Sequence, residues 1–175
     1  MKLSKYLISI MSVFVLIGCG GGGGGTAGAP VDFESFITTW NTENFGVSND
    51  DQIKISTTGT GYNYNVDWGD GNQSRNQTGD IIHTYDTPGI YTIKITGVFP
   101  RLYFGNVGTI DSEDSEKLLT VEQWGTNPWQ TMVLAFYNAV NLQITASDTP
   151  NLSQVTDMTG MFYGAESFNQ DIGDW

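Results

Sequence analysis

The chain has 175 residues, 39% of them hydrophobic and 13% aromatic, with 22 glycines and a formal charge of −12. That sign argues against bulk attraction to nucleic acid or anionic membrane, and the length allows one ordinary domain or two small ones. Cys19 is the only cysteine, which excludes an internal disulfide and any paired-cysteine metal site.

Lys2 and Lys5 precede a nearly continuous apolar run from Tyr6 to Ile17. A short basic region before about a dozen apolar residues fits an export signal and is short for a membrane span. The run ends in Leu16-Ile17-Gly18-Cys19, which resembles a bacterial lipoprotein signal with a small residue before the cysteine that becomes lipidated. The alternative is an uncleaved anchor helix with an incidental cysteine. The resemblance implies removal of residues 1–18 and lipid attachment at Cys19, where several acyl chains would give stable anchoring. Cleavage would remove two lysines and no acid, so the mature chain is still more acidic. Gly20 to Gly25 and the following Thr26-Ala27-Gly28-Ala29-Pro30 make residues 19–32 a flexible tether. The expected location is the bacterial cell envelope, with the protein lipid-anchored at the outer membrane or cell surface.

Order is expected from Phe33. Phe33, Phe36, Ile37 and Trp40 fit helical spacing, but Thr38, Thr39 and Asn41 favour an extended first strand. Ser48-Asn49-Asp50-Asp51 reads as a turn, and Ile53 and Ile55 alternate with polar residues in a second strand. Tyr62, Tyr64, Val66 and Trp68 alternate in the clearest strand, which ends at the turn Asp70-Gly71. Asn72 to Asp80 is polar throughout; Ile81-Ile82-His83-Thr84-Tyr85 follows, then the turn Pro88-Gly89 and the alternating Tyr91, Ile93 and Ile95. Short strands separated by turn signals predict a small antiparallel β-sandwich over residues 33–100.

Val66-Asp67-Trp68-Gly69-Asp70-Gly71 and His83-Thr84-Tyr85-Asp86-Thr87-Pro88-Gly89-Ile90-Tyr91 together resemble the PKD (polycystic-kidney-disease) domain family. The resemblance spans roughly 33–98. It implies an immunoglobulin-like sandwich of the kind used as spacer or adhesion element on exported proteins, with Trp68, Gly69, Asp70, Gly71, His83, Tyr85, Gly89 and Tyr91 as its structural motif. His83 is the only histidine. A packing and turn role is expected for it, not catalysis, because any Ser–His–Asp set would need unremarkable loop serines. Asp67, Asp70, Asp80 and Asp86 are candidate Ca²⁺ ligands by residue type, but their spacing matches no EF-hand. No catalytic, cofactor-binding or metal residue is assigned.

Leu102-Tyr103-Phe104 is expected as a further strand and the acidic run Asp111 to Glu116 as a solvated connector, within a linking segment 101–117. Beyond it the chain echoes itself: Met132, Phe136, Ala139 and Leu142 recur 26 residues later as Met158, Phe162, Ala165 and Phe168. Such a period predicts units that bury their apolar faces on one another. Gln123-Trp124-Gly125, Ala135-Phe136, Asp157-Met158-Thr159-Gly160-Met161-Phe162 and the closing Ser167-Phe168-Asn169-Gln170-Asp171-Ile172-Gly173-Asp174-Trp175 resemble the BspA-like leucine-rich-repeat surface lipoproteins. That resemblance covers 118–175 and implies adhesion to host or matrix proteins. Arrays of this kind usually need about three or more units, so the two visible here predict a truncated array, or else one that caps itself or pairs with a partner.

The expected fold is mainly β: a PKD/immunoglobulin-like sandwich followed by a short leucine-rich-repeat solenoid. The expected function is a non-enzymatic, lipid-anchored surface protein that contacts other proteins, with the membrane as a partner through Cys19 and no nucleic acid. Exposed aromatics among Trp124, Trp129 and Tyr137 are the candidate contacts. A ligand-free spacer and a carbohydrate-binding accessory module are the alternatives, the latter prompted by five tryptophans.

Overall fold

The computed structural model describes residues 32–105 and 113–175. The export signal, Cys19, nearly all of the tether and part of the connector lie outside the described residues.

The fold is mainly β. β1 (Phe36–Asn41) turns Phe36, Thr38 and Trp40 inward and Ile37, Thr39 and Asn41 to the other face, and the strand lies between two neighbours in the sheet. β2 (Gln52–Ile55) buries Ile53 and Ile55, and β3 (Asn63–Asp67) buries Tyr64 and Val66. β4 (Gln73–Gln77), β5 (Ile81–Thr84) and β6 (Ile90–Val98) follow, then a 3₁₀ turn at Ser115–Lys117, β7 (Leu118–Gln123) and the two-residue β8 (Gln143–Ile144). One sheet has the order β4-β3-β6-β1-β7-β8, and β2 pairs with β5 in a second. All these pairings are antiparallel except β7 with β8. Register sets Trp40 opposite Tyr91 and Phe36 opposite Ile95, so large and branched side chains alternate across the same face.

The polar stretch after Gly71 contains the edge strand β4, which periodicity did not single out because none of its side chains is apolar. Leu102-Tyr103-Phe104 forms no strand, correcting the expectation; Leu102 and Phe104 are instead buried. The acidic run is corrected as well. Asp114 and Ser115 are buried, because the chain turns inward there to deliver β7 to the sheet beside β1.

Residues 32–175 form one compact unit. A single core runs from Ile53, Tyr64, Trp68 and Ile93 through Phe36 and Trp40 to Trp124, Trp129, Phe136 and Leu142. Beyond β7 the chain makes two turn-rich rungs, 131–142 and 157–168, offset by 26 residues. Their internal turns repeat bond for bond: Ala135 N–H to Met132 O, Tyr137 N–H to Leu134 O and Ala139 N–H to Phe136 O recur as Met161 to Met158, Tyr163 to Gly160 and Ala165 to Phe162. Leu134 and Asn138 take left-handed φ of 52° and 54°, as do Gly160 and Gly164 at 64° and 73°. Segment 100–105 flanks the first rung on its other side, with Gln130 N–H donating to Pro100 O and Phe104 N–H to Leu134 O.

Candidate functional site

The strand-end motif closes into one cluster. Gly69 has φ of 78°, and a Cβ there would strike the Thr92 carbonyl, so the turn needs a residue without one. That tight turn presents Asp70, whose Oδ1 accepts Asn72 N–H at 2.9 Å and whose Oδ2 meets His83 Nε2 at 2.8 Å. The His83 ring stacks on Trp68 with centroids 4.7 Å apart. Tyr85 donates its hydroxyl to Trp68 O at 3.1 Å and stacks on Tyr91 at 3.7 Å. Gly89 N–H donates to Thr42 Oγ1, tying the second turn to the end of β1. Burial works against the Asp70 charge, but hydrogen bonds from His83 and Asn72 outweigh it and hold the carboxyl down at about 2. Burial also pushes the Tyr85 phenol up. The His83 nitrogen that faces a partner is thus committed to Asp70, and the ring faces are covered.

A second polar cluster lies where the 3₁₀ turn meets the loop before β2. Asp114 accepts Ser48 N–H at 3.0 Å, Ser48 Oγ at 2.6 Å and Lys54 N–H at 2.6 Å. The buried Lys117 ammonium donates to the carbonyls of Ser48, Asn49 and Gln52 and to Ser48 Oγ, at 2.7–3.2 Å. Burial draws the Lys117 amine below its ordinary value despite nearby carboxylates. Beside it Lys54 Nζ lies 2.7 Å from Glu113 and 3.1 Å from Asp80. There burial is outweighed by the carboxylates, and the amine is raised. Sequence reasoning missed both lysines and both acids of the 113–114 pair, since nothing in an acidic run marks the one carboxylate that turns inward.

The four aspartates considered for Ca²⁺ are not gathered. Asp67 accepts from Gly69 N–H, Asp70 holds His83, Asp80 holds Lys54 and Thr57, and Asp86 is exposed. Among the described residues no group of three or more His, Cys, Asp or Glu side chains is placed to hold a metal ion.

Of the aromatics expected at a contact surface, Trp124 and Trp129 are fully buried, which corrects their expected exposure. Trp124 lies within about 6 Å of Phe36, Trp129, Phe136 and Trp175 by ring centroid. Their spacing is core spacing, set by β7 and the loop after it. Tyr137 is half-buried under Tyr163, stacked at 5.2 Å. Tyr163 itself is 67% exposed; Met158 of the same rung and Ile172 beyond it are exposed as well. The 26-residue period, carried one residue past Phe162, points to Tyr163. A shallow polar groove of about 290 Å³ lined by Asp32, Asp67, Gln73, Arg75 and Lys94 lies on the β3–β6 side. Among the described residues no helix is long and apolar enough to cross a membrane.

Residues 109–175, well under half of the chain, match the family described as "Mycoplasma protein of unknown function, DUF285". The match spans β7, β8 and both rungs and stops short of β1–β6. No curated protein and no solved structure matches the chain.

Proposed function

We propose that this chain is a lipid-anchored protein of the bacterial cell envelope that presents a PKD-like sandwich and a short leucine-rich-repeat-like stack for contact with other proteins. The observation that carries the reading is the bond-for-bond repetition of the two rungs, the second of which exposes Met158 and Tyr163. The strand region supports it as a rigid mount: the Trp68–His83–Asp70 cluster resembles the PKD motif in residue type and order, and it is used for packing. The sole cysteine, placed just after a short apolar run, supplies the anchor. Affinity then comes from a few aromatic side chains on an extended surface, not from one pocket.

The carbohydrate alternative leaned on the tryptophans. Trp40, Trp68, Trp124 and Trp129 are buried in the core, so they offer no stacking platform for a sugar ring.

Palmitate labelling in a bacterial host tests the anchor. The wild-type chain should incorporate label and sediment with membranes, while Cys19→Ser should lose both. An unlabelled wild-type chain found in the cytosolic fraction would falsify the proposal. Saturable binding of the purified chain to cells or matrix proteins separates a contact protein from a ligand-free spacer.

A further inference from the structure

A cleft of about 270 Å³ opens where β1 and β6 meet the loop after β7. Its apolar walls come from Phe36 at the start of β1, Ile95 of β6, Phe99 just past β6, and Pro128. Phe36 and Ile95 face each other in register, and Trp129 packs edge-on against Phe36 and Phe99 at 5.0 and 6.2 Å. Backbone fixes one wall as well. Thr126 N–H donates to Glu34 O at 3.3 Å, and Gln123 Nε2 donates to Ser35 O at 2.8 Å. Gly125 lies so close to both carbonyls that a Cβ there would strike them. The cleft is built into the fold.

Two acceptors that line it have no donor among the described residues. Asn127 is buried, and its Nδ2 donates to Phe99 O at 2.7 Å, which leaves its Oδ1 unpartnered. A buried amide oxygen without a donor is costly, and in native proteins such a group is rare. Glu34 is exposed at the rim, and its carboxylate pairs with no cation among the described residues. No residue lining the cleft is basic. Apolar walls with a few polar groups on one side are the usual make-up of a small-molecule site.

We propose that this cleft binds a small primary alkylammonium. The ammonium supplies the donors that Asn127 Oδ1 and Glu34 lack, and the alkyl part lies on Phe36, Ile95 and Phe99. Glu34 and the chain's charge of −12 disfavour an anion and draw in a cation. A bare metal ion fits poorly, because Ca²⁺ needs six or more oxygens and half of this lining is hydrocarbon. The volume is a little below that of drug-sized sites, so the chain on the amine is short. The same group occurs on free amines and at the end of lysine side chains.

The test is a titration of the full chain, purified in detergent, with n-butylammonium at pH 7 and constant ionic strength, followed by amide NMR. Saturable shifts are expected at Glu34, Thr126 and the Asn127 side-chain amide, with a Kd of about 1–10 mM. Glu34→Gln keeps the shape of the rim and removes its charge, so binding should weaken about tenfold. Thr126→Trp closes the exposed mouth and should abolish binding. Both are changes at exposed positions, so neither test depends on altering the core. 1-Butanol, matched in length, should bind about tenfold more weakly than the amine. Nα-acetyl-lysine methylamide that binds more tightly than n-butylammonium would put the ammonium on a peptide, and weaker binding would put it on a free amine. Shifts that do not saturate, that persist unchanged in Glu34→Gln, or that 1-butanol reproduces at equal concentration overturn the proposal.

Discussion

The strand region and the rung region hold themselves together by different means. Between β1 and β6 six residue pairs lie in continuous register, and side chains interlock on both sides of that seam. Between the rungs five backbone bonds and two ring stacks carry the contact, with Phe136 on Phe162 at 5.5 Å and Tyr137 on Tyr163 at 5.2 Å. The first region buries Trp40, Tyr64 and Trp68, while Phe33, Phe45, Ile82 and Ile90 are exposed on it. In the second rung Phe162 and Phe168 are only partly covered, and so is Trp175 beyond it. A strand region can be complete in itself, whereas a stacked rung is complete only when something lies on it. Trp124 and Trp129 are thus core, whereas Tyr163 has Tyr137 stacked on it and stays 67% exposed.

The contrast breaks most severely at Trp124, which belongs to both regions. Its ring touches Phe36 of β1 on one side and Phe136 and Trp175 of the rungs on the other. Trp124→Ala should cost about 3–5 kcal/mol, as for other fully buried large aromatics. Since one core spans both regions, tryptophan fluorescence and far-ultraviolet circular dichroism should report one coincident transition at a lower denaturant concentration. If the strands keep the wild-type midpoint while the rungs melt early, the two regions are independent units, and the continuous core described above carries little energy.

The same residue shows where sequence reading succeeds and fails. Period-two alternation marks β2, β3 and β6, which turn apolar side chains inward, whereas β1 is legible only from Thr38, Thr39 and Asn41 set against a helical spacing of its apolar residues. Alternation is silent on β4, Gln73-Ser74-Arg75-Asn76-Gln77, whose strand exists because it pairs along β3 and not because it buries anything. The rung period was legible in Met132, Phe136, Ala139 and Leu142. The exposure of individual rings was not, since Trp124 and Tyr163 are both aromatic residues next to a glycine, and only the path of the chain separates core from surface. Asp114 and Lys117 were illegible for a further reason: hydrophobic patterning carries no signal for two buried charges, one accepting from the Ser48 N–H and the other donating to the Ser48 carbonyl, about 70 residues away.

That pair sharpens the comparison at a middle scale. Lys117 stands directly before β7, and its ammonium satisfies the carbonyls of Ser48 and Asn49 in the loop ahead of β2 and of Gln52 at its start. It therefore ties the chain segment that leads into the rungs to the strand region. Lys117→Met keeps the aliphatic stem but leaves those carbonyls without their donor, at a cost of about 2–3 kcal/mol. Unfolding by denaturant checks the loss. Exchange of amides in the 48–52 loop should accelerate more than exchange in the rungs, because the loop loses its tie directly. An unchanged midpoint would mean that water replaces the ammonium at no cost, and the junction would then rest on Trp124 and its neighbours alone.

The smallest expected effect isolates the strand region. Asp70 is held at about 2, below its ordinary value near 3.8. A carboxyl depressed in the folded state adds stability that is fully present above the unfolded value and is lost as pH falls toward the folded one. Asp70→Asn preserves the shape of the turn and the oxygen that accepts Asn72 N–H, but removes the charge facing His83. It should therefore lower stability by about 1–2 kcal/mol at pH 7. The gap between wild type and variant should close progressively from about pH 4 to pH 2. Asp32 and Asp80 are also held below their ordinary values, by Ser35 and by Thr57 with Lys54, so the wild-type acid profile alone is a composite. Subtracting the variant's profile removes them, because both keep their partners. A difference that stays constant down to pH 2 would assign the loss to turn geometry and not to the Asp70–His83 charge. The cluster resembling the PKD motif would then be held by the Trp68–His83 stack and the Tyr85 hydroxyl bond, with the carboxylate serving the turn alone.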